Sequence, residues 1–169
     1  MLQKETIAEN AAGVWRLLES VMDPELPVLS VVDLGIVRAV HLEGAAVDVV
    51  ITPTYTGCPA MDVIALQLKI VLAGAGYSPV TIRSVLSPAW TTEWMSEAGK
   101  DKLKAYGIAP PNSKQSVCTP EYFQREEAVE CPHCGSYQTN MISEFGSTAC
   151  KALYRCSACQ EPFDYFKCH

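Results

Sequence analysis

Positive charge is scarce in this chain. Thirteen Lys and Arg face nineteen Asp and Glu, for a formal net charge of −6. A protein that neutralises phosphates needs a basic stripe, and none is present, so nucleic-acid binding is a distant second to protein docking. The cysteine-rich end is no exception: Lys151, Arg155 and Lys167 are balanced there by Glu144, Glu161 and Asp164. Histidine is almost missing, with only His41, His133 and His169. None follows Cys58 where sequence reasoning could pair the two, and thiol catalysis usually requires such a base, so the chain is expected not to be an enzyme. Long apolar runs are absent as well. Val63 to Ala75 is the most apolar stretch, but Gln67 and Lys69 interrupt it and it is too short to span a bilayer. No charged start followed by an apolar core and a small-residue cleavage site is evident, and there is no internal repeat. A cytoplasmic protein is expected.

What the chain has in plenty is cysteine, eight in 169 residues, which implies a reducing compartment with thiolates used for metal. Cys131-Pro-His-Cys134 and Cys156-Ser-Ala-Cys159 form two Cys-x-x-Cys knuckles separated by 21 residues. Each tight turn delivers two sulfurs to a common centre, an arrangement suited to a tetrahedral soft cation. Zinc is expected, with rubredoxin-like iron as the rival and a disulfide framework as the plainer alternative. Four protein ligands leave no open position, so the metal is structural, and binding it folds a segment too small to sustain its own core. His133 reads as an exposed or supporting residue. Cys150 and Cys168 read as buried neighbours of the metal or as substitutes in its ligand set, and Cys118 as free. Tyr137, Phe145, Tyr154, Phe163, Tyr165 and Phe166 supply aromatic cover, with some left over for a protein partner.

The 169 residues allow one domain of ordinary size plus this ribbon. By composition, Pro110-Pro111-Asn112-Ser113 opens a linker covering residues 110–130 between a first domain, 1–109, and the ribbon, 131–169. In the first domain, Thr6-x-x-Glu9 reads as a capping box. Ile7, Ala11, Val14, Trp15, Leu18 and Met22 follow at helical spacing, and Asp23-Pro24 ends the helix. Residues 36–42 and 46–52 alternate as strands across Glu43-Gly44, predicting a hairpin. A second helix is predicted over 60–75, with Met61, Ile64, Leu68, Val71 and Leu72 facing inward. A third strand follows over 80–86, then a largely exposed helix over 92–106. The fold class is therefore α+β: a small helix-covered three-stranded sheet domain, followed by a four-cysteine zinc ribbon.

Cys58 lies between Gly57 and Pro59 where a strand gives way to a helix. At a helix N-terminus, free N–H groups and the dipole stabilise a thiolate, so a low-pKa thiol is expected, helped by Thr54 and Thr56. Such a thiolate suits a nucleophile, a redox sensor or a metal ligand. A packed structural cysteine is an equally good reading from spacing alone. Asp23-Pro24-Glu25 reads as a helix stop with solvated carboxylates unless the fold brings it to Cys58.

Asp23-Pro24-Glu25, Asp33-Leu34-Gly35-Ile36-Val37, Thr54-x-x-Gly57-Cys58-Pro59 and Trp90-Thr91-Thr92-Glu93-Trp94-Met95 together resemble the iron–sulfur assembly domain of SufT-type proteins and cytosolic iron–sulfur targeting factors. With the C-terminal knuckles, Ser147 to Lys151 and Glu161 to Cys168 added, nearly the whole chain is similar to the PaaD family, accessory subunits encoded with the bacterial phenylacetyl-CoA ring epoxidase. The resemblance implies assembly or delivery of iron–sulfur clusters in phenylacetate degradation. The epoxidase's flavin and iron–sulfur reductase is the implied client, ahead of its di-iron oxygenase. It also implies that Cys58 is the reactive cysteine and that Asp23 and Glu25 are its acidic companions, transiently holding iron or a cluster. A homodimer could bring two Cys58 thiolates together. A structural subunit joining the epoxidase components through the ribbon and the Trp90–Trp94 segment is the competing expectation.

Overall fold

The structure, a computed structural model, describes residues 11–111 and 129–167. The proposed capping box at Thr6–Glu9, Cys118, Cys168, His169 and most of the expected linker lie outside the described residues. Two compact units part between Ala89 and Trp90.

The first unit runs α1 (Ala11–Leu18), β1 (Val37–Glu43), β2 (Ala46–Ile51), α2 (Ala60–Gly74) and β3 (Val80–Ser84). Its strands form one mixed sheet in the order β1-β2-β3, with β2 antiparallel to β1 and parallel to β3. The parallel step is made by α2, which crosses over from β2 and packs back against β3. Gly44 has φ 59°, a conformation open to glycine, and closes the predicted hairpin. Alternation along β2 buries Val47, Val49 and Ile51, and α2 buries Ile64, Leu68 and Leu72. Met61 and Val71, expected inward, are only half-buried.

The first helix stops earlier than its apolar spacing suggests. It ends at Leu18, and Met22 instead bridges Ser30 in a short antiparallel contact. Asp23 N–H donates to the Leu29 carbonyl at 2.9 Å and Val31 N–H to the Val21 carbonyl at 2.9 Å, so the chain doubles back around Pro24 and Pro27. The two prolines favour this reversal over another helical turn. The Asp33 motif closes the next turn: Ser30 Oγ donates to Asp33 Oδ2 at 3.0 Å, and Asp33 N–H donates to Ser30 Oγ at 3.0 Å.

The second unit opens with a 3-10 turn (Thr92–Trp94) and α3 (Glu97–Tyr106), followed by β4 (Ile108–Ala109), β5 (Thr139–Ser143), β6 (Lys151–Cys156) and β7 (Pro162–Phe166). Its sheet is ordered β4-β7-β6-β5. Ser96 caps α3, its Oγ accepting from the Gly99 N–H at 2.9 Å. Gly107 ends the helix at φ 90°, and a Cβ there would sit 3.2 Å from His133 Cε1.

The units therefore do not part at residue 109, where composition places the first domain's end. Residues 90–111 belong to the ribbon unit for physical reasons. Ile108 and Ala109 pair in parallel with Asp164 and Tyr165 of β7. Trp90, 4% exposed, meets the Phe166 ring edge-on at 6.0 Å. Lys104 Nζ lies 2.8 Å from Glu130 Oε1. The expected exposed helix over 92–106 is accordingly a 3-10 turn plus a shorter helix whose Leu103 is buried. Among the described residues no helix is long and apolar enough to cross a membrane.

Replacing Trp90 with alanine is expected to destabilise the ribbon unit by about 3–5 kcal/mol, the usual cost of truncating a buried aromatic. Earlier thermal release of the ribbon's metal would report it; an unchanged release temperature would place Trp90 outside that core.

Candidate functional site

Two sulfur sites are built by local chain geometry. In the first unit, β2 ends at Ile51 and the chain turns sharply before α2. Cys58 N–H donates to the Tyr55 carbonyl at 3.3 Å, closing a four-residue turn whose third residue, Gly57, has φ 83°. That is type II geometry, which calls for glycine at this position. Pro59 then caps α2, and Met61 N–H donates to the Cys58 carbonyl at 3.3 Å. Cys58 is thus half-buried beside the helix start, with its Sγ accepting from the Ala60 N–H and from the Tyr55 hydroxyl.

The fold brings Glu25 and Asp23 close enough to Cys58 for both to act on its charge. Burial, followed by these two carboxylates, pushes the thiol above its usual pKa; the Ala60 N–H and Tyr55 only partly offset that rise. The expectation of a low-pKa thiolate is therefore corrected. The helix start does contribute, but desolvation and like charge outweigh it.

Asp23 also has a structural task. Its Oδ1 accepts from the N–H groups of Glu25 and Leu26, both at 2.8 Å, and the residue is only 7% exposed. Glu25 is half-buried. The three side chains do not converge on a single coordination point. Among the described residues, the one group of three or more His, Cys, Asp or Glu close enough to share an ion lies elsewhere. Tyr55 was missed by sequence reasoning. Its signal was the spacing to Cys58 across Gly57, which places the first and fourth residues of a turn side by side.

That other group is Cys131, Cys134, Cys156 and Cys159, whose sulfurs all lie within 4.8 Å of one another. Cys131 and Cys159 are 3.8 Å apart and Cys134 and Cys156 3.6 Å. Four sulfurs around zinc at ~2.3 Å would be spaced about 3.8 Å apart, so the donors fit a tetrahedral thiophilic cation. Backbone N–H groups already point at them. Those of Cys159 and Ala158 hold the Cys156 thiol down to about 7, whereas Cys134, despite the Ser136 N–H, is pushed up to about 12 by burial and neighbouring sulfurs. Val129, Ala152, Phe163 and Tyr165 pack around Cys131 and Cys156. Tyr154 stacks on Phe163 at 5.9 Å and meets Tyr165 at 5.6 Å. Tyr137 and Phe145 are left exposed, each 58%.

Cys150 stands apart from the four. It is buried, with its Sγ 3.0 Å from Thr148 Oγ1, in keeping with a packing role. His133 is exposed between the ligands.

Residues 11–77 match a family described as iron–sulfur cluster assembly protein, and residues 115–167 one described as PaaD zinc beta ribbon domain. The chain is 47% identical over 157 residues to a putative 1,2-phenylacetyl-CoA epoxidase subunit of Escherichia coli, covering 92% of this chain and 91% of that protein. The chain belongs to the PaaD family. An Fe-S protein maturation auxiliary factor of Bacillus subtilis, YitW, is 35% identical over 102 residues, 59% of the PaaD-family chain and 96% of its own. A solved domain of unknown function, DUF59, from Bacillus anthracis superposes with a TM-score of 0.52 at 30% identity, covering 54% of this chain and 89% of that one. PaaD-family architecture is thus an assembly-type α+β domain joined to a zinc ribbon with a four-cysteine site.

Serine at any one of Cys131, Cys134, Cys156 or Cys159 is expected to abolish stoichiometric metal binding, while Cys150→Ser retains it; elemental analysis of each purified variant decides the ligand set. Asp23→Ala should cost about 2–4 kcal/mol in urea unfolding, because it strands one buried and one part-buried N–H group, whereas Glu25→Gln should cost about 1 kcal/mol or less. Equal costs would remove the distinction between a turn-building and an available carboxylate.

Proposed function

We propose that this chain is a non-catalytic maturation factor of phenylacetate degradation that carries iron or an iron–sulfur cluster to the phenylacetyl-CoA epoxidase. The flavin and iron–sulfur reductase component is the recipient. The observation that carries this reading is the half-buried Cys58 sulfur within electrostatic reach of Glu25 and Asp23. Partial burial and two carboxylates disfavour a bare thiolate, and the carboxylates favour any cation that takes the place of the thiol's proton. A site that resists being an anion alone and accepts a cation readily suits transient loading.

Cys58 would serve as the sulfur ligand, Glu25 as an oxygen ligand, and Asp23 as the residue that fixes the Glu25 turn while adding charge. Three side chains that do not share a coordination point require further ligands from outside. A second copy of the chain, contributing its own Cys58, or the recipient protein supplies them. The ribbon, with structural zinc on Cys131, Cys134, Cys156 and Cys159, is the docking module. Its exposed Tyr137, Met141, Ile142 and Phe145 offer apolar contact. The net charge of −6 attracts a basic patch on the recipient, mainly through encounter rate. The work is done in the cytoplasm.

The same exposed ribbon side chains favour one further reading, a structural subunit that holds epoxidase components together. Its Trp90–Trp94 element is weakened, because Trp90 is buried within the ribbon unit.

In cells carrying Cys58→Ser, the reductase is expected to be purified with several-fold less cluster while this chain remains folded and zinc-loaded. Full cluster occupancy of the reductase would sink the carrier reading and leave the structural subunit.

A further inference from the structure

The Tyr55-Thr56-Gly57-Cys58 turn joins two side chains that the proposed carrier role uses unequally. Its backbone bond, Cys58 N–H to the Tyr55 carbonyl at 3.3 Å, fixes the turn, and Gly57 at φ 83° gives it the type II form. First and fourth residues are thereby side by side, and the half-buried phenol donates its O–H to Cys58 Sγ. On the other side, the Ala60 N–H also reaches that sulfur, so two donors hold it from the turn and from the helix start. A sulfur gripped by two donors has a fixed orientation, and part of its electron density is committed before any cargo arrives.

We propose that Tyr55 is a positioning residue for the Cys58 sulfur, its hydroxyl weakening the sulfur–metal bond so that cargo is held loosely and released. This rests on the reading of Cys58 as a transient metal ligand and specifies how that ligand lets go. A hydrogen bond donated to a metal-bound thiolate withdraws charge from sulfur, which lowers its donor strength without removing it. For a carrier, that matters more than tight capture. Tyr55 also differs from Glu25 and Asp23 in kind: it gives a proton-bearing donor where they give negative charge.

Cobalt(II) is a suitable probe, because zinc binds protein sites at least as tightly and the ribbon therefore stays zinc-loaded. With the full chain, the thiolate-to-cobalt charge-transfer band that disappears in Cys58→Ser reports this sulfur alone. In Tyr55→Phe, which keeps the ring and loses the hydroxyl, that band is expected to move to lower energy. Release of cobalt to a chelator should slow by roughly tenfold, the scale of one hydrogen bond to a charged group. Substituting 3-fluorotyrosine at position 55, whose phenol is the stronger donor, should move both readouts the opposite way, which a merely space-filling ring would not do. A Cys58-dependent band that is indifferent to Tyr55→Phe and to the fluorinated residue overturns this inference and leaves Cys58 as a ligand. Absence of any Cys58-dependent band in the unaltered chain overturns both.

Discussion

Crowding of sulfur atoms is the constraint on which the ribbon unit is built. Four of them meet within 4.8 Å, supplied by one knuckle ahead of β5 and another between β6 and β7. Thiols have no attraction strong enough to hold that geometry against the conformational freedom it costs, whereas a shared cation does. With the knuckles pinned, β6 and β7 pair from Lys151 and Phe166 to Arg155 and Pro162, and the aromatic rings of Tyr154, Phe163 and Tyr165 close over the sulfurs. The sheet would then follow from the ion that these four sulfurs are placed to hold.

In the first unit the logic is reversed. Its sheet and helices bury a conventional apolar core, Val14, Leu18, Val49, Ile64, Leu68 and Leu72 among it, which needs no ion. Freed of that duty, the Cys58 sulfur stays half-buried at the rim, among groups of opposing influence. Helix-start N–H and phenol hydroxyl favour its charged form, while burial and two carboxylates disfavour it. A closed set of four sulfurs suits lasting retention of an ion; one sulfur with unmatched neighbours suits, on the proposed reading, only a brief hold. The two units thus set their sulfur atoms in opposite surroundings.

Much of this was readable from residue order. The hairpin across Glu43-Gly44 followed from strict alternation in β2, and the ribbon site followed from two Cys-x-x-Cys pairs, because both depend on spacing along a short stretch. The α2 face was legible for Ile64, Leu68 and Leu72 by the same logic. What escaped depends on partners remote in sequence. Trp90 is buried because Phe166 lies against it, and no local pattern says so. The first helix stops at Leu18 because Val21 and Asp23 find backbone partners at Val31 and Leu29, which helical periodicity cannot register. The direction of the Cys58 shift reversed chiefly because the folded chain half-buries the sulfur, with two remote carboxylates adding to the rise. Its carboxylate neighbours come from a turn formed more than a hairpin earlier in the chain. Asp23 itself combined both readings, since it builds that turn and charges the site.

The short strand Ile108–Ala109 has a further consequence. Lying along β7, it ties the described residues from Trp90 onward into one compact unit, with its own helix as a brace. The matched assembly region ends at residue 77 and the matched ribbon begins at 115, so the brace belongs to neither recognised half. Recombination that moved the ribbon by its cysteines alone would leave the edge of its sheet unpaired and sticky. A transplant cut ahead of Trp90 would carry its own seal.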